Sequence, residues 1–513
     1  MTQPPSNLAR GDWRRGLPTS VPDEVRVALP PAVRAVQFDS RQVEAGDLFI
    51  CMPGERADGH AFARAAVERG AVALVCVAGR EAEMGGLGVP VVGVPNPRAT
   101  MAQVSAAHED YPAKKLTVIG VTGTDGKSTT CFFMVAALEG AGLKAGLLTT
   151  IECRIAGRTI PNPTRLTSQE APFVQQLLAE MVDAGCTHAV IEATSIGLDL
   201  HRVDACEFHA AIFTNLTPDH LDFHGTVEAY RKAKGRLFEM LPAGGHGHSP
   251  GVAVLNQDDP AWRYFASRTK ARVVTYALHD DEADVTVDDV MLWDDGSTFA
   301  LTADEEDESV ECSVRLPGEF NVANAAAAIT CASAIGLDVG AAAMGVAACA
   351  GVPGRMERIT GAPFPVVVDY AHTGEALHHA AETLREVTNG RLIAVFGCAG
   401  ERGKERRTGM GAAAAASVDF TILADEDPRS EASEAIIDDI AQAMRAAGAI
   451  EGERFERIPD RRAAIARALE IAQPGDLVLI AGKGHETTIE YASGAVPFDD
   501  RVVAREEIAR RFG

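Results

Sequence analysis

The sequence predicts an α/β protein built on parallel β-sheets, and three observations support this. Short apolar runs alternate with helical stretches along most of the 513 residues, as expected for a parallel sheet with helices on both faces. A polar link near 108–115 and the segment Gly351-Val352-Pro353-Gly354 interrupt the alternation. A chain of this length corresponds to about three domains, and we place them at 1–112, 113–350 and 351–513.

Composition excludes several classes of protein. Hydrophobic residues make up 46% and charged residues 23%, so the chain is neither disordered nor collagen-like. The net charge of −24 disfavours nucleic acid and anionic membranes as partners. A few converging cations still allow a small anionic substrate.

Ten scattered cysteines without a CxxC pair are typical of reduced thiols in a cytoplasmic protein. The N-terminus has no apolar signal-peptide core. The Ala-rich stretch 323–352 predicts a packed helix pair rather than a membrane span, because alanine is only weakly apolar. We therefore expect a cytoplasmic enzyme without membrane spans, and we expect a monomer.

In the first predicted domain, 1–112, the pattern predicts strands at 47–51 and 71–77 around a helix at 61–69. In the second block, helices are predicted at 128–141 and 169–185. Its strands are predicted at 116–121, 144–150, 188–191, 210–213 and 252–255. The acidic segment 280–311 predicts a solvent-exposed antiparallel β-segment. The last block repeats the rhythm, with strands at 366–369, 391–396, 420–424 and 477–481.

The strongest local signal is Gly-Val-Thr-Gly-Thr-Asp-Gly-Lys-Ser-Thr-Thr at 120–130. A strand runs into a Gly-rich turn and a helix starts at Lys127, which indicates a phosphate-binding loop. The strict eight-residue pattern requires a glycine five positions before Gly126, where this chain has Val121, so the loop is a variant of that pattern. Ser128 is placed to ligate the Mg²⁺ of a nucleotide. The loop alone leaves kinase, ATPase, GTPase and ligase open.

Polar residues follow the neighbouring strands. Glu192 ends one strand and is placed to hold a metal ion. The segment 214–225 concentrates Asp219, His220, Asp222 and His224, which favours a site over simple helix capping. The basic helix that follows is either solvated or directs one lysine at the phosphates. Residues 256–259 are either a helix cap or part of the site, and Asn321 and Asn324 either cap a helix or contact an adenine edge.

Taken together, the motifs resemble those of the Mur ligase family over nearly the whole chain, and within it the subgroup that adds the third residue of the peptidoglycan stem peptide. The matching segments beyond the phosphate loop are Asp39-Ser40-Arg41, Gly46-Asp47-Leu48-Phe49, Asp58-Gly59-His60, Glu192, 214–225, Ala233-Lys234, Pro353-Gly354-Arg355-Met356-Glu357, Asp369-Tyr370-Ala371-His372-Thr373, Asp427-Pro428-Arg429 and Gly482-Lys483-Gly484-His485-Glu486. Each is weak alone, but the ordered set is specific. It implies a three-domain architecture, with a central parallel-sheet ATPase domain between an N-terminal UDP-substrate domain and a C-terminal Rossmann-like domain that binds the amino acid.

The resemblance also implies the reaction: ATP phosphorylates the terminal carboxylate of UDP-N-acetylmuramoyl-L-alanyl-D-glutamate. The amine of a diaminopimelate-like amino acid, L-lysine or ornithine then displaces phosphate and forms an amide. The implied ATP-binding residues are Gly123, Thr124, Gly126, Lys127, Ser128, Thr129, Asn321, Arg355 and Asp369. The implied catalytic residues are Lys127, Glu192, His220, Lys234, Arg355 and His372. The implied Mg²⁺ ligands are Ser128, Glu192, His220 and, as a carbamate, Lys234. Arg355 and His372 belong to the C-terminal domain, so the resemblance implies that domain closure completes the site.

By the same resemblance, the UDP-substrate would meet Ser40, Arg41, Thr167, Ser168, Thr194 and Arg202. The amino acid would meet Arg407, Asp427, Arg429, Gly482 and Glu486. An arginine after Asp-Pro suits a distal carboxylate, which favours a diaminopimelate-like substrate over lysine.

Several positions depart from the family pattern: Asp125 replaces Asn, Ser128 replaces Thr, Leu166 a Thr, Ile196 a His and Gly374 a Pro. Asp427 stands where diaminopimelate enzymes carry Asn, and its charge is expected to favour a more cationic side chain. These changes leave two alternatives: a related ligase with a different acceptor, or a non-catalytic nucleotide-binding paralogue. Retention of the catalytic set argues against the second.

Overall fold

The computed structural model describes residues 10–54, 57–161, 167–243, 251–293, 295–303 and 309–513. The described residues divide into two compact units. The first runs to Thr286 and also includes Ala303 and residues 326–345; the second includes residues 287–302, 309–325 and 346–513.

The first unit begins with a small parallel sheet in the order β1-β2-β3-β4. Its strands are β1 Val36–Gln37, β2 Leu48–Ile50, β3 Ala73–Val77 and β4 Val91–Val94, and its helices are α1 Asp23–Ala28, α2 Ala63–Glu68 and α3 Pro97–His108. The strands are buried, and a core including Trp13, Leu48, Val75 and Met101 fills one face.

A larger sheet follows, in the order β12-β11-β10-β5-β9-β6-β7-β8. Its strands are β5 Thr117–Thr122, β6 Ala145–Leu148, β7 Glu152–Ile155, β8 Arg158–Pro161, β9 His188–Glu192, β10 Ala210–Phe213, β11 Val252–Asn256 and β12 Arg272–Ala277. The helices are α4 Lys127–Gly140, α5 Ala171–Asp183, α6 Ser195–Asp199, α7 Leu221–His224, α8 Val227–Glu239 and α9 Trp262–Ser267. Strand β5 pairs in parallel with β9 on one side and β10 on the other. The loops after these three strands therefore meet at one edge of the sheet, where α/β proteins bind ligands.

The acidic segment forms β13 Val285–Trp293, β14 Gly296–Ala303 and β15 Val310–Val314. Strands β14 and β15 pair antiparallel, as predicted. The Ala-rich stretch forms two helices, α10 Glu319–Ala334 and α11 Val339–Ala348. Gly140 of α4 lies so close to Gly345 of α11 that a Cβ on either residue would overlap the other helix. Within the described ranges, no helix has the length and apolar character needed to cross a membrane.

The second unit contains a six-stranded sheet in the order β16-β17-β21-β18-β19-β20, parallel except for β16, and a separate hairpin. The strands are β16 Glu357–Ile359, β17 Val366–Asp369, β18 Leu392–Phe396, β19 Phe420–Leu423, β20 Phe455–Arg457 and β21 Leu477–Ala481, and the hairpin is β22 Thr488–Tyr491 with β23 Gly494–Pro497. The helices are α12 Gly374–Glu386, α13 Lys404–Ser417, α14 Ser433–Ala446, α15 Arg461–Ile471 and α16 Asp500–Phe512.

Candidate active site

The phosphate loop joins the end of β5 to the start of α4. Gly123 lies against Thr214, and a Cβ at Gly123 would overlap the Thr214 Oγ. Gly126 adopts φ +79°, a left-handed conformation that glycine allows, and α4 begins at the next residue. Lys127 Nζ donates to the Thr124 carbonyl at 2.6 Å. The loop therefore presents a helix N-terminus and a lysine, the combination that stabilises a bound phosphate.

Residues after β10 fix the conformation of this loop. Asn215 accepts hydrogen bonds from the backbone N–H of Thr124, at 2.8 Å, and of Asp125, at 2.9 Å. Thr214 Oγ donates to the Asp125 carbonyl at 2.6 Å. The Asp125 side chain is exposed. These contacts join segments about 90 residues apart, so the local sequence gives no indication of them.

The open question about residues 256–259 is resolved in favour of a structural role. Asn256 Nδ2 donates to the Thr214 carbonyl at 2.7 Å. Asp259 accepts hydrogen bonds from the backbone N–H of Leu216 and Ala261, at 2.6 and 2.8 Å. Asp258 accepts from two further backbone N–H groups. Asn256 and Asp259 therefore support the loop after β10, and Asp258 supports the loop after β12.

Glu192, at the end of β9, is buried beside the phosphate loop. Its Oε2 accepts hydrogen bonds from Ser128 Oγ at 2.9 Å and from the Thr150 N–H at 3.1 Å. Thr150 Oγ1 also donates to Thr167 at 2.6 Å. The Ser128 hydroxyl at the start of α4 and the Glu192 carboxylate at the end of β9 thus lie together at the loop.

Lys234 lies on the buried face of α8, so one lysine of the basic helix does face the loop. Its Nζ donates to the Gly123 carbonyl and lies 4.4 Å from the centre of the Tyr230 ring. Burial, with the Lys127 charge nearby, holds the pKa of Lys234 well below its ordinary value. Of the other basic side chains of α8, Arg231 stacks on Tyr264, Lys232 is exposed and Arg236 pairs with Asp204.

The two histidines of the 214–225 segment occupy different environments. His220 is half-exposed, 3.4 Å from the Asp219 carboxylate, and its backbone is left-handed at φ +51°. Partial burial lowers the pKa of its ring, and Lys127 and Lys234 act in the same direction. His224 Nε2 contacts Ser195 Oγ at 3.0 Å. That serine precedes Ile196, where the family histidine is lost.

The predicted peptide-end residues form a connected group. Ser168 Oγ lies 3.0 Å from Thr194 Oγ1, and it accepts a hydrogen bond from the Thr194 N–H. Arg202 pairs with Glu170 at 2.8 Å and donates to the Ser168 carbonyl. Thr167 is linked through Thr150 to Glu192, so this group continues directly from the phosphate loop. Leu166 lies outside the described residues.

In the N-terminal sheet region, the Arg41 guanidinium is exposed and paired with Asp39 at 2.7 Å, and Ser40 is half-buried. His60 has a structural environment, since its Nε2 accepts the Val77 N–H at 3.1 Å and its Nδ1 contacts Asp58.

In the second unit, two predicted nucleotide residues, Arg355 and Asp369, lie together at the end of β17. Asp369 accepts the N–H groups of Met356 and Ala371, both at 2.8 Å, which fixes the loop that carries Arg355. The Arg355 guanidinium stacks 4.7 Å from the Tyr370 ring, and the His372 ring lies 4.4 Å from the same tyrosine. Asn321, on α10, is buried and donates to the Pro317 carbonyl at 2.7 Å.

The predicted amino-acid residues surround the loop after β21. Lys483 is fully buried and donates to Asp427 at 3.0 Å and to Glu486 at 2.8 Å. Asp427 also accepts the Glu490 N–H. The single Lys483 cation is thus shared between two carboxylates, those of Asp427 and Glu486. The expectation that Asp427 favours a more cationic side chain stays a prediction. Sequence reasoning placed Lys483 in a matching motif but did not find its pairing with Asp427, because the two residues are 56 positions apart.

The two predicted arginines of this region differ sharply. Arg407 is buried, and its guanidinium is held by Glu431 at 2.8 Å and Asp439 at 2.9 Å. Arg429 is half-buried and left-handed at φ +57°, and its N–H donates to the Glu490 carbonyl. Among the described residues, no side chain forms an ion pair with Arg429. Arg429 is therefore the arginine of the two that is available to a ligand carboxylate.

The donor set at the phosphate loop fits Mg²⁺ bound to a nucleotide. No group of three or more His, Cys, Asp or Glu side chains in the described parts of the chain can hold a metal by itself. Ser128 and Glu192 supply two hard oxygen ligands. Mg²⁺ commonly combines such a pair with phosphate oxygens and water.

Comparisons with known proteins match the chain over most of its length. Three family models match: "Mur ligase family, catalytic domain" at residues 32–109, "Mur ligase middle domain" at 121–332, and "Mur ligase, glutamate ligase domain" at 354–484. A UDP-N-acetylmuramyl-tripeptide synthetase of Roseiflexus sp. is 44% identical, covering 93% of this chain and 95% of the relative. A UDP-N-acetylmuramoyl-L-alanyl-D-glutamate–2,6-diaminopimelate ligase of Streptomyces coelicolor is 40% identical, with 96% of each chain covered.

Solved structures agree. A UDP-N-acetylmuramoyl-L-alanyl-D-glutamate–2,6-diaminopimelate ligase superposes with a TM-score of 0.65 at 33% identity, covering 94% of this chain and 96% of that chain. MurF ligase from Thermotoga maritima in complex with ADP gives a TM-score of 0.60 at 20% identity, covering 94% and 97%. The latter likeness is one of fold.

Proposed function

Because this chain belongs to the Mur ligase family, we propose that it is the ATP-dependent ligase that adds the third amino acid to UDP-N-acetylmuramoyl-L-alanyl-D-glutamate in peptidoglycan synthesis. The observation that carries the proposal is the group formed by the phosphate loop, Ser128, Glu192 and Lys234 at adjoining strand ends. Relatives of the same length carry this activity in their names.

The reaction joins two anions, so its central difficulty is charge. The substrate carboxylate attacks the γ-phosphate of ATP and forms an acyl phosphate, and the amine then displaces inorganic phosphate. The loop N–H groups and Lys127 would bind ATP phosphates, and Arg355 and His372 would stabilise phosphate charge. Asn321 and Asp369 act toward the nucleoside.

Ser128, Glu192 and His220 would hold Mg²⁺. When bound, the ion neutralises phosphate charge and polarises the transferred group. The buried Ser128–Glu192 contact supports this assignment, because both oxygens face the loop.

We assign Lys234 a carbamate. Its low pKa favours the neutral amine, which is the form that attacks CO₂ through the nitrogen lone pair. The N–C bond forms, one proton is released, and the neutral amine becomes an anionic carbamate beside the loop. That anion would be a further metal ligand.

Substrate roles follow from the remaining groups. Ser40 and Arg41 would meet the UDP moiety, and Thr167, Ser168, Thr194 and Arg202 the peptide end. Asp427, Gly482 and Glu486 would bind the amino acid, with Arg429 on a distal carboxylate. The Arg429 guanidinium, which forms no ion pair within the described residues, favours diaminopimelate over lysine or ornithine. Arg407 would act indirectly, through Glu431 and Asp439.

We keep the domain boundaries at 112/113 and 350/351, and we propose that the enzyme is a cytoplasmic monomer. The cysteines support the compartment: no disulfide joins any of the ten, and all ten belong to described segments.

Phosphate release tests the function, with ATP, Mg²⁺, UDP-N-acetylmuramoyl-L-alanyl-D-glutamate and, in separate reactions, meso-diaminopimelate, L-lysine or L-ornithine. We expect release with diaminopimelate. Release with lysine or ornithine alone would keep the ligase and reject the assigned amino acid. ATP binding without release would point to a different acceptor, with Ile196 as the first position to test. Absence of ATP binding would refute the ligase.

A further inference from the structure

Glu426 is a buried carboxylate that the fold leaves incompletely satisfied. Its side chain is nearly inaccessible, and its Oε2 has no hydrogen-bond partner among the described residues. The nearest ion-pair contact is Arg406, 3.6 Å from Oε1, beyond hydrogen-bond distance. The acids on either side differ: Asp425 accepts from Ser433 and Tyr491, and Asp427 from Lys483 and the Glu490 N–H. A buried carboxylate oxygen without a donor is costly, which points to a ligand donor.

The unsatisfied oxygen faces the loop after β21, which carries proposed amino-acid-binding residues. Glu426 Oε2 lies 3.3 Å from the position that a Cβ on Gly482 would occupy, so the missing side chain leaves it open space. Arg406 links Glu426 to the end of β17, because its Nε donates to the His372 carbonyl. Arg429, in contrast, is anchored to the hairpin through Glu490. Glu426 is therefore connected to the His372 end of this region, where the proposed function places the reacting phosphate.

We propose that Glu426 accepts the proton that the α-ammonium group of the incoming amino acid must lose before it attacks the acyl phosphate. The inference rests on the proposed function. An ammonium nitrogen has no lone pair and cannot attack. One N–H bond breaks, its electron pair stays on nitrogen, and the proton moves to Glu426 Oε2. The nitrogen then forms the C–N bond, the acyl C–O bond breaks, and the second proton leaves with inorganic phosphate.

The surroundings suit a base that works near neutral pH. Burial raises the pKa of Glu426 to about 7, opposed by the cations Arg406 of α13, Lys483 of the loop after β21 and Arg461 of α15. The negative charge of Glu486 acts with burial and raises the pKa of Glu426. The uncharged thiol of Cys398 and the phenol of Tyr370 also face this carboxyl group. A base whose pKa matches the working pH balances availability against proton affinity.

The experiment compares the wild-type enzyme with Glu426→Gln, which keeps the shape but cannot accept the proton. Asp425→Asn is the matched control, since it removes the charge of the neighbouring buried carboxylate, whose Oδ2 already has two protein donors, Ser433 and Tyr491. Each enzyme receives ATP, Mg²⁺ and the UDP-muramoyl dipeptide. The second substrate is either meso-diaminopimelate or hydroxylamine, which is already a neutral amine at neutral pH and traps the acyl phosphate as a hydroxamate.

For Glu426→Gln at pH 7 we expect kcat/KM for diaminopimelate to fall by about 100-fold or more, within the range for loss of a general base. The loss should shrink by about tenfold per pH unit as the pH rises and the free amine becomes populated. Hydroxamate formation should stay within about threefold of wild type, since this nucleophile needs no prior deprotonation. Asp425→Asn should retain both diaminopimelate addition and hydroxamate formation.

Three results would overturn the inference. The first is an unchanged rate of diaminopimelate addition in Glu426→Gln. The second is a parallel loss of hydroxamate formation and diaminopimelate addition in that variant. The third is an equal, selective loss of diaminopimelate addition in Asp425→Asn. Failure of the proposed function would differ, because the wild-type enzyme itself would then form neither hydroxamate nor product, and the inference would fall with it.

Discussion

Removing the Arg429 guanidinium should change amino-acid selectivity without weakening the fold. Within the described residues the guanidinium has no ion-pair partner, so Arg429→Ala breaks no internal salt bridge. Alanine also keeps the Cβ, so the left-handed backbone at φ +57° costs the variant as much as it costs the wild type. The effect should therefore fall on a ligand carboxylate.

The magnitude follows from the bonds lost. Hydrogen bonds to a charged group contribute about 1.5–3 kcal/mol, and about 1.4 kcal/mol corresponds to a tenfold change. We expect kcat/KM for meso-diaminopimelate to fall about 10- to 100-fold on these values. L-Lysine, which has no distal carboxylate, should change by less than about threefold. Arg429→Lys should give an intermediate loss, because it keeps the charge but not the bidentate geometry.

Steady-state phosphate release with each amino acid and a thermal unfolding curve give the comparison. Arg407→Ala is the contrasting variant: it leaves Glu431 and Asp439 without their buried cation. It should lower the free energy of unfolding by about 1–3 kcal/mol and weaken both amino acids alike. An equal loss for diaminopimelate and lysine in Arg429→Ala would remove Arg429 from the specificity pocket.

Three further changes test other parts of the molecule. Gly123→Ala should abolish ATP binding, measured by calorimetry, because its Cβ would displace Thr214 from the loop; tight binding would refute the loop geometry. Lys234→Ala should lose most phosphate release and regain part of it in high bicarbonate; full activity would reject the carbamate. Burial and nearby cations lower the pKa of His485 to about 3. Between that value and about 6.5 the unfolded chain binds the extra proton, so stability falls as the pH drops. When the pH falls from 7 to 5.5, the free energy of unfolding measured in urea should therefore decrease by about 1 kcal/mol less in His485→Gln than in the wild type. The same pH dependence in both proteins would exclude a neutral buried ring.

Strands such as β1, β8 and β12 were not predicted. The strands and helices that the sequence did predict lie within a few residues of the observed ones, because they are apolar runs bounded by turn residues. The strand at 210–213 matches β10, and the helix predicted at 128–141 is α4 at Lys127–Gly140. The errors lie at the ends, where capping contacts decide the boundary. Asn256–Asp259 illustrates this limit: the spacing identified polar residues after a strand, but only the fold shows that they support Thr214 and Leu216.

The candidate site was predictable where one segment contains the chemistry, as in the phosphate loop. It was less predictable where function depends on pairing between distant segments. The pairing of Asp427 with Lys483 joins segments 56 residues apart, and nothing in the sequence indicated that Arg407 is held by Glu431 and Asp439. Charge in a site is a property of pairs, and pairs are fixed by tertiary structure.

The same principle explains how a chain with a net charge of −24 can handle two anionic substrates. Exposed carboxylates more than about 8–10 Å away are largely screened at physiological salt, so the local partners of each cation decide binding. Lys127 is bonded to a neutral carbonyl oxygen, Arg355 to no carboxylate among the described residues, and Arg429 is unpaired there too. Arg407 and Lys483 are instead neutralised by acids. The cations that retain their charge for ligands are thus those at the phosphate loop, at the end of β17 and beside the hairpin, where phosphates and carboxylates must bind.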